Sequence, residues 1–211
     1  MAPLFVWLLP HREFLQGCRQ EPCGTETLPK PFAPEVFPVL STARLNLRQP
    51  RMADYEAFHA ILSCPEVTRF SNWADAPKRG EVERPLKWMC EAFDKRKGCA
   101  WMIEDAITGA LLGAIRFNCL DAPNRRAEIG YELHPTAWGK GYMDEALAAV
   151  VACGFGPFGL DRLEAWTLPG NPASDRVLEK AGFQYEGTLR QRAWFKGAFH
   201  DFRMFSRLAG D

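Results

Sequence analysis

The chain lacks a net charge and lacks any long apolar run, and each absence excludes a class of protein. Across 211 residues, 26 lysines and arginines offset 26 aspartates and glutamates. No overall basic field draws it to nucleic acid or to an anionic membrane, and no specific partner of either kind is expected. Local basic spots remain at Arg125-Arg126 and around Arg190 and Arg192. No apolar stretch approaches the roughly 20 residues that cross a bilayer. The short apolar run at 4–9 follows no positive charge, which makes it a poor secretory leader. Internal repeats are also missing. These absences predict a cytoplasmic protein.

Cysteine is present but unpatterned. The seven cysteines fall at 18, 23, 64, 90, 99, 119 and 153, an odd and irregular set in a chain long enough to build a core without staples. Free thiols in a reducing compartment are expected. Cys18, Cys23 and His11 lack a matching second ligand pair, so no metal is expected. Prolines at 3, 10, 22, 29, 31, 34 and 38 interrupt the first 38 residues. That segment is read as an irregular extension, or as a short helix over 4–16 that packs on a domain spanning 39–211.

From residue 39 onward the pattern is regular. A strand is predicted over 43–47, with Leu45 and Leu47 on one face. Asp54 can cap a helix carrying Tyr55, Phe58, Ile61 and Leu62, stopped by Pro65. A second helix is predicted over 82–95, with Pro85 in its first turn. Segments 99–104 and 111–118 form a hairpin across Ile107-Thr108-Gly109. A strand at 127–133, a helix at 144–151, a strand at 162–167 and a helix after Asn171-Pro172 follow. Segments 183–186 and 200–208 close as strands around a Lys196-Gly197 turn. Hairpins plus one strand–helix–strand crossover imply an α/β fold with a mixed, mostly antiparallel sheet flanked by helices.

The informative stretch is Trp138-Gly139-Lys140-Gly141-Tyr142-Met143. It stands between the 127–133 strand and a helix with Met143, Ala146, Leu147, Val150 and Val151 on its apolar stripe. A glycine loop that opens a helix exposes unpaired N–H groups at the positive end of the helix dipole, which suits a phosphate. The plain alternative is a solvated glycine turn. Asp144 and Glu145 in the first turn complement the dipole but would repel an anion that came too close.

These residues resemble a known family. The run from Ala127 to Pro135 followed by the 138–143 loop resembles the acetyl-coenzyme A loop of the Gcn5-related N-acetyltransferases. Asn171-Pro172-Ala173-Ser174 and Val177 to Phe183 resemble that family's second motif, and the opening 40–48 is similar as well. Together they look like the RimJ/RimL-like ribosomal-protein alanine acetyltransferase branch, over about 39–208. Trp138 and Met143 depart from the usual residue types of the loop. No tyrosine lies within 172–182, where many relatives carry one to protonate the leaving thiolate.

The resemblance implies acetyl transfer from acetyl-coenzyme A to a primary amine, with no metal. The N-terminal α-amine of a protein or peptide is the favoured acceptor, because its pKa near 8 needs less help than the roughly 10.4 of a lysine. Implied cofactor contacts are Leu133, His134, the loop Trp138, Gly139, Lys140, Gly141, Tyr142 and Met143, and Asn171, which also serves as a helix cap. Glu164 and Glu128 are the candidate bases and Ser174 the candidate acid. Each glutamate could equally be a strand carboxylate paired with an arginine such as Arg162. Trp73 and Glu132 are candidates for the acceptor pocket, with Trp194 a further aromatic. A small amine acceptor (polyamine, amino acid or aminoglycoside) and a coenzyme-binding module without turnover are the rivals, and the protein is expected as a monomer or homodimer.

Overall fold

The computed structural model describes residues 33–211. The possible helix at 4–16 and the Cys18–Cys23 pair lie outside the described residues. Eight strands form one sheet in the order β1-β2-β3-β4-β5-β6-β8-β7. They are β1 (Leu40–Ser41), β2 (Leu45–Arg48), β3 (Cys99–Asp105), β4 (Leu111–Asp121), β5 (Arg126–Leu133), β6 (Arg162–Thr167), β7 (Gln184–Phe195) and β8 (Ala198–Leu208). Only β5 and β6 run parallel. Among the described residues five α-helices accompany them: α1 (Tyr55–Leu62), α2 (Pro65–Thr68), α3 (Arg79–Glu91), α4 (Tyr142–Phe155) and α5 (Pro172–Lys180). The mixed sheet with a single crossover is the architecture the sequence pattern implied.

Alternation along the strands divides the core into two layers. Leu45, Leu47, Trp101, Ile115, Phe117, Ile129 and Leu163 face α4, which contributes Leu147, Val150 and Val151. Ala100, Met102 and Ala114 face the opposite way and meet Phe58 and Leu62 of α1 and Leu86 and Met89 of α3. Trp101 centres the first layer. It is fully buried, with Phe117 edge-on at 5.4 Å and Phe37 at 5.9 Å, and its indole N–H donates to the Pro38 carbonyl at 2.7 Å. That bond and the Phe37–Phe93 contact at 5.2 Å tie 37–38 onto the domain, and Ala33 is buried in the same core. The last residues of the expected extension are thus irregular in backbone but packed.

Several boundaries differ from expectation. Pro65 does not simply stop α1; it opens α2 at the first helical position, where its missing N–H costs nothing. Pro85 lies inside α3 and not in its first turn. The helix starts earlier because Glu81 accepts from the Lys78 amide at 2.7 Å, a cap from which the apolar spacing alone carried no signal. The proline removes the bond to the Glu81 carbonyl, and burial of Val82, Leu86 and Met89 holds the helix through it. The strand expected over 43–47 begins only at Leu45, as β2, because residues 42–44 turn back from β1 with Thr42 and Leu45 bonding reciprocally. β7 runs to Phe195, well beyond the expected 186, with register shifts at Tyr185/Gly187 and Leu189/Ala193. Irregular pairing hides such a strand from a period-two search.

Trp101→Ala should cost about 3–5 kcal/mol, because the cavity it leaves is walled by rigid rings and strands. Urea unfolding should show a lower midpoint at an unchanged slope.

Candidate active site

The β5–β6 ladder ends early. Pairing runs from Arg126↔Arg162 to Ile129↔Ala165 and goes no further. β5 continues on β4 to Leu133↔Gly113, and β6 continues on β8 to Thr167↔Arg203. The two parallel strands therefore diverge, and a continuous cleft of about 3260 Å³ passes between their ends. The glycine loop and α5 border one side, and Phe70, Trp73 and Trp194 border the other.

The glycine loop hangs from the end of β5. His134 caps a single 3₁₀ turn over Pro135–Ala137: its Nδ1 accepts from the Thr136 amide at 3.3 Å and lies 2.8 Å from Thr136 Oγ1. Trp138 folds back, its indole N–H donating to the Leu133 carbonyl at 2.8 Å. Gly139 and Gly141 have φ of +69° and +74°, which L side chains rarely adopt. Gly141 caps α4 with no side-chain bond, so the first-turn amides at 142–144 have no helical partner and the dipole's positive end is open. Met143 turns into the core and leaves the loop to its backbone.

The two acidic residues of that first turn are diverted. Asp144 pairs with Lys180 of α5 at 3.0 Å. Glu145 accepts from Thr42 Oγ1, from the Arg44 amide at 2.8 Å and from Arg44 Nε at 2.7 Å. Arg44 also donates to the Lys140 carbonyl at 2.8 Å and stacks over Tyr142 at 4.6 Å. The β1–β2 turn thus clamps the loop from outside and neutralises the carboxylate that would otherwise repel an anion. Arg44 is separated from the loop by about a hundred residues, and nothing local in the sequence marks it. The side chains of His134 and Lys140 stay out of the cleft wall, whereas Leu133, Trp138 and Tyr142 are part of it.

α5 points its N-terminus into the same cleft. Asn171 caps it: its carbonyl accepts from the Ser174 amide at 3.3 Å, and its amide donates to Ser174 Oγ at 3.1 Å. The Ser174 hydroxyl proton is thereby free to point elsewhere. Asp175 is held by Thr167 Oγ1 at 2.6 Å and by Arg203 at 3.1 Å.

The opposite sheet face carries the carboxylates, and all but one are ion-paired. Glu132 is buried against Arg116 and accepts from the Trp73 indole N–H at 2.7 Å, which joins the two acceptor-pocket candidates. Glu164 is bonded by Arg126 at 3.0 Å and Arg162 at 2.7 Å. Glu186 pairs with Arg162 and accepts from Ser206 at 2.7 Å, which holds its pKa down to about 2. Glu128 has only neutral donors, the Asn118 amide and the Trp166 indole N–H, each at 3.2 Å. Burial raises its pKa above the ordinary carboxylate value and nearby Glu164 adds to the rise, against the pull of the Asn118 and Trp166 bonds and of the Arg116 charge. Arg116, Asn118 and Trp166 build this environment, and they escaped the sequence reading because their contacts cross strands. Lys196 bridges from the β7–β8 turn to the Thr68 carbonyl at 2.6 Å and to Asp75 at 2.7 Å, fastening the hairpin to the loop before α3.

Arg44→Ala should raise the KM for acetyl-coenzyme A about tenfold with little change in kcat, since it frees Glu145 beside the loop and loosens the Lys140 carbonyl. Steady-state kinetics over a donor series measures both constants.

Residues 44–184 match the acetyltransferase (GNAT) domain. The chain is 38% identical over 171 residues to the uncharacterized N-acetyltransferase YoaA of Bacillus subtilis, covering 81% of this chain and 97% of that protein. The fold superposes on RimL, the ribosomal L7/L12 alpha-N-protein acetyltransferase in complex with coenzyme A, with a TM-score of 0.73 at 22% identity, covering 82% of this chain and 98% of that one. Spermidine N-acetyltransferase from Vibrio cholerae in complex with coenzyme A and spermine gives 0.70 at 19% identity, covering 80% and 98%. An open helix N-terminus behind a glycine loop, a sheet split at the crossover and a match across two thirds of the chain agree: this protein belongs to the GNAT family of N-acetyltransferases.

Proposed function

We propose that the protein transfers acetyl from acetyl-coenzyme A to the N-terminal α-amine of a peptide or protein. The observation that carries this reading is Glu128, a partly buried carboxylate whose hydrogen-bond donors are neutral, one residue before β5 and β6 separate. The amine must lose a proton as it attacks. A carboxylate of raised pKa is better matched to that task than an ordinary one, and an α-amine of pKa near 8 leaves it less to do than a lysine. Glu164, the other candidate base, has its oxygens occupied by two guanidinium groups.

The remaining roles follow from position. Amides of the Gly139–Met143 loop suit the coenzyme's pyrophosphate, and Asn171 and Ser174 border the path of its thioester arm. Backbone N–H groups on the freed edge of β5 can stabilise the oxyanion of the tetrahedral intermediate. A polyamine would call for a cluster of unpaired carboxylates, yet Glu132, Glu164 and Glu186 are each neutralised by arginine. The described cysteines are all unbridged, in keeping with a reducing cytoplasm. Among the described residues no helix is long and apolar enough to cross a membrane.

Thiol release from acetyl-coenzyme A should be fastest with N-terminal peptides when these are compared with lysine peptides and small amines. A response confined to small amines would overturn the acceptor assignment. Glu128→Gln should lower kcat about a hundredfold and abolish an acid limb whose apparent pKa lies above the usual carboxylate range. The same group sets a stability window. Its folded pKa is raised, so the native state holds its proton more tightly than the unfolded chain. That contribution is complete below the unfolded pKa near about 4.3 and is lost as pH rises through the folded value. At neutral pH the Gln variant should therefore be at least as stable as the parent in urea, while being the slower enzyme.

A further inference from the structure

The segment 69–78, between α2 and α3, walls one side of the cleft with Phe70, Trp73 and Asp75. It has little backbone structure of its own. The Ser71 amide donates to the Thr68 carbonyl at 3.1 Å, and among the described residues no backbone-to-backbone bond involves 72–77. Ala76 sits at φ +50°, where side chains other than glycine seldom go. A segment without a ladder keeps one shape only if side chains hold it. Side chains from the sheet do so. The Trp73 indole N–H donates to Glu132 of β5 at 2.7 Å. Phe70 packs with Leu168, Phe195 and Phe202. Lys196 donates to the Thr68 carbonyl at 2.6 Å and pairs with Asp75 at 2.7 Å.

Lys196 is an unusual residue for its place. The β7–β8 hairpin closes at the Phe195↔Ala198 pair, so Lys196 and Gly197 are the two central residues of its turn. Their φ angles are +49° and +74°. Two positive values mark a type I′ turn, whose first central position favours Asn, Asp or Gly because other side chains are strained there. A lysine works against this turn. Its side chain is nevertheless only 19% exposed, and its ammonium reaches a carbonyl 128 residues away in the chain. A residue that opposes its local geometry while satisfying a distant contact points to a use for that contact.

We propose that Lys196 is a positioning residue for the acceptor: its ammonium clasps the 69–78 segment to the β7–β8 hairpin and so fixes the wall that Phe70 and Trp73 present to the incoming amine. The inference rests on the acetyl-transfer reading of this cleft and adds what orders its acceptor side. Trp73 ties the segment to β5, and among the described contacts Lys196 and Phe70 carry it across to the hairpin. Without the ammonium the outer part of the segment is free to lift. A wall already in place leaves the acceptor less to order on binding, and apparent affinity falls in proportion as the closed fraction falls. The clasp touches neither the glycine loop nor α5, so the coenzyme's affinity does not depend on it.

Lys196→Asn in the full chain separates positioning from mere support, because asparagine suits the turn. The melting temperature should stay within about 2 °C of the parent or rise. Chymotrypsin cuts after aromatic residues and needs no acceptor. It should nick the variant after Phe70 or Trp73 roughly tenfold faster or more, with the sites read by mass spectrometry. With a responsive amine, the acceptor KM should rise about tenfold, while kcat and the KM for acetyl-coenzyme A stay within about twofold. Lys196→Arg keeps a cationic donor and should restore both the slow nicking and the low acceptor KM. An unchanged nicking rate, a rise in the KM of both substrates, or a melting temperature that falls along with the kinetic loss would overturn the assignment. If no amine releases thiol even from the parent protein, the acceptor reading fails, and the digestion still decides whether Lys196 closes the segment.

Discussion

The separation of β5 from β6 after Ile129 and Ala165 is the constraint on which the rest of the molecule depends. Giving up a ladder exposes backbone donors and acceptors, which a fold tolerates only if each strand keeps its other neighbour. Both do: β5 stays on β4 to Leu133, and β6 stays on β8 to Thr167. The crossover helix α4 supplies the packing that fixes the split. Leu147, Val150 and Val151 lie in one core layer with Leu163 and Ala165 of β6 and Ile129 of β5, so the strands are pinned where they pair and free to part beyond it. The glycine loop and the N-terminus of α5 both fall at the opening because each follows directly from one of the parted strands.

Electrostatics then distinguishes positions that look alike in the chain. Glu128, Glu132, Glu164 and Glu186 are all strand glutamates, and cross-strand neighbours set their states. Arg116, Arg126 and Arg162 engage three of them, while Asn118 and Trp166 leave the partly buried Glu128 with neutral donors. The buried Arg116–Glu132 pair acts as a scaffold. Removing either member would strand a charge, at a cost of about 3–5 kcal/mol. At the glycine loop the same logic appears inverted: Glu145 and Asp144 satisfy the dipole of α4 and are then neutralised by Arg44 and Lys180, which leaves the open amides at the helix start.

Local rules carried far in this sequence. The apolar periods of α1 and α4, the Asp105-anchored turn at Ile107-Thr108-Gly109 and the Asn171-Pro172 cap are short-range features, and they lie where their residues predict. The glycine loop was equally legible, because left-handed φ and an uncapped helix start are conditions that only a few neighbouring residues decide. The same locality explains why α3 starts earlier and β7 runs longer than expected. A backbone cap from Glu81 and a bulged strand pair leave little trace in hydrophobic spacing.

The sequence by itself determined the order of elements and the glycine loop that opens α4, since both rest on contacts within a few residues. Only the tertiary structure decided which glutamate is left without an ion-pair partner and that Arg44 clamps the loop from the far edge of the sheet. Each of those depends on strand register and on burial. Register and burial arise when distant segments meet across the sheet, and no spacing along the chain encodes them.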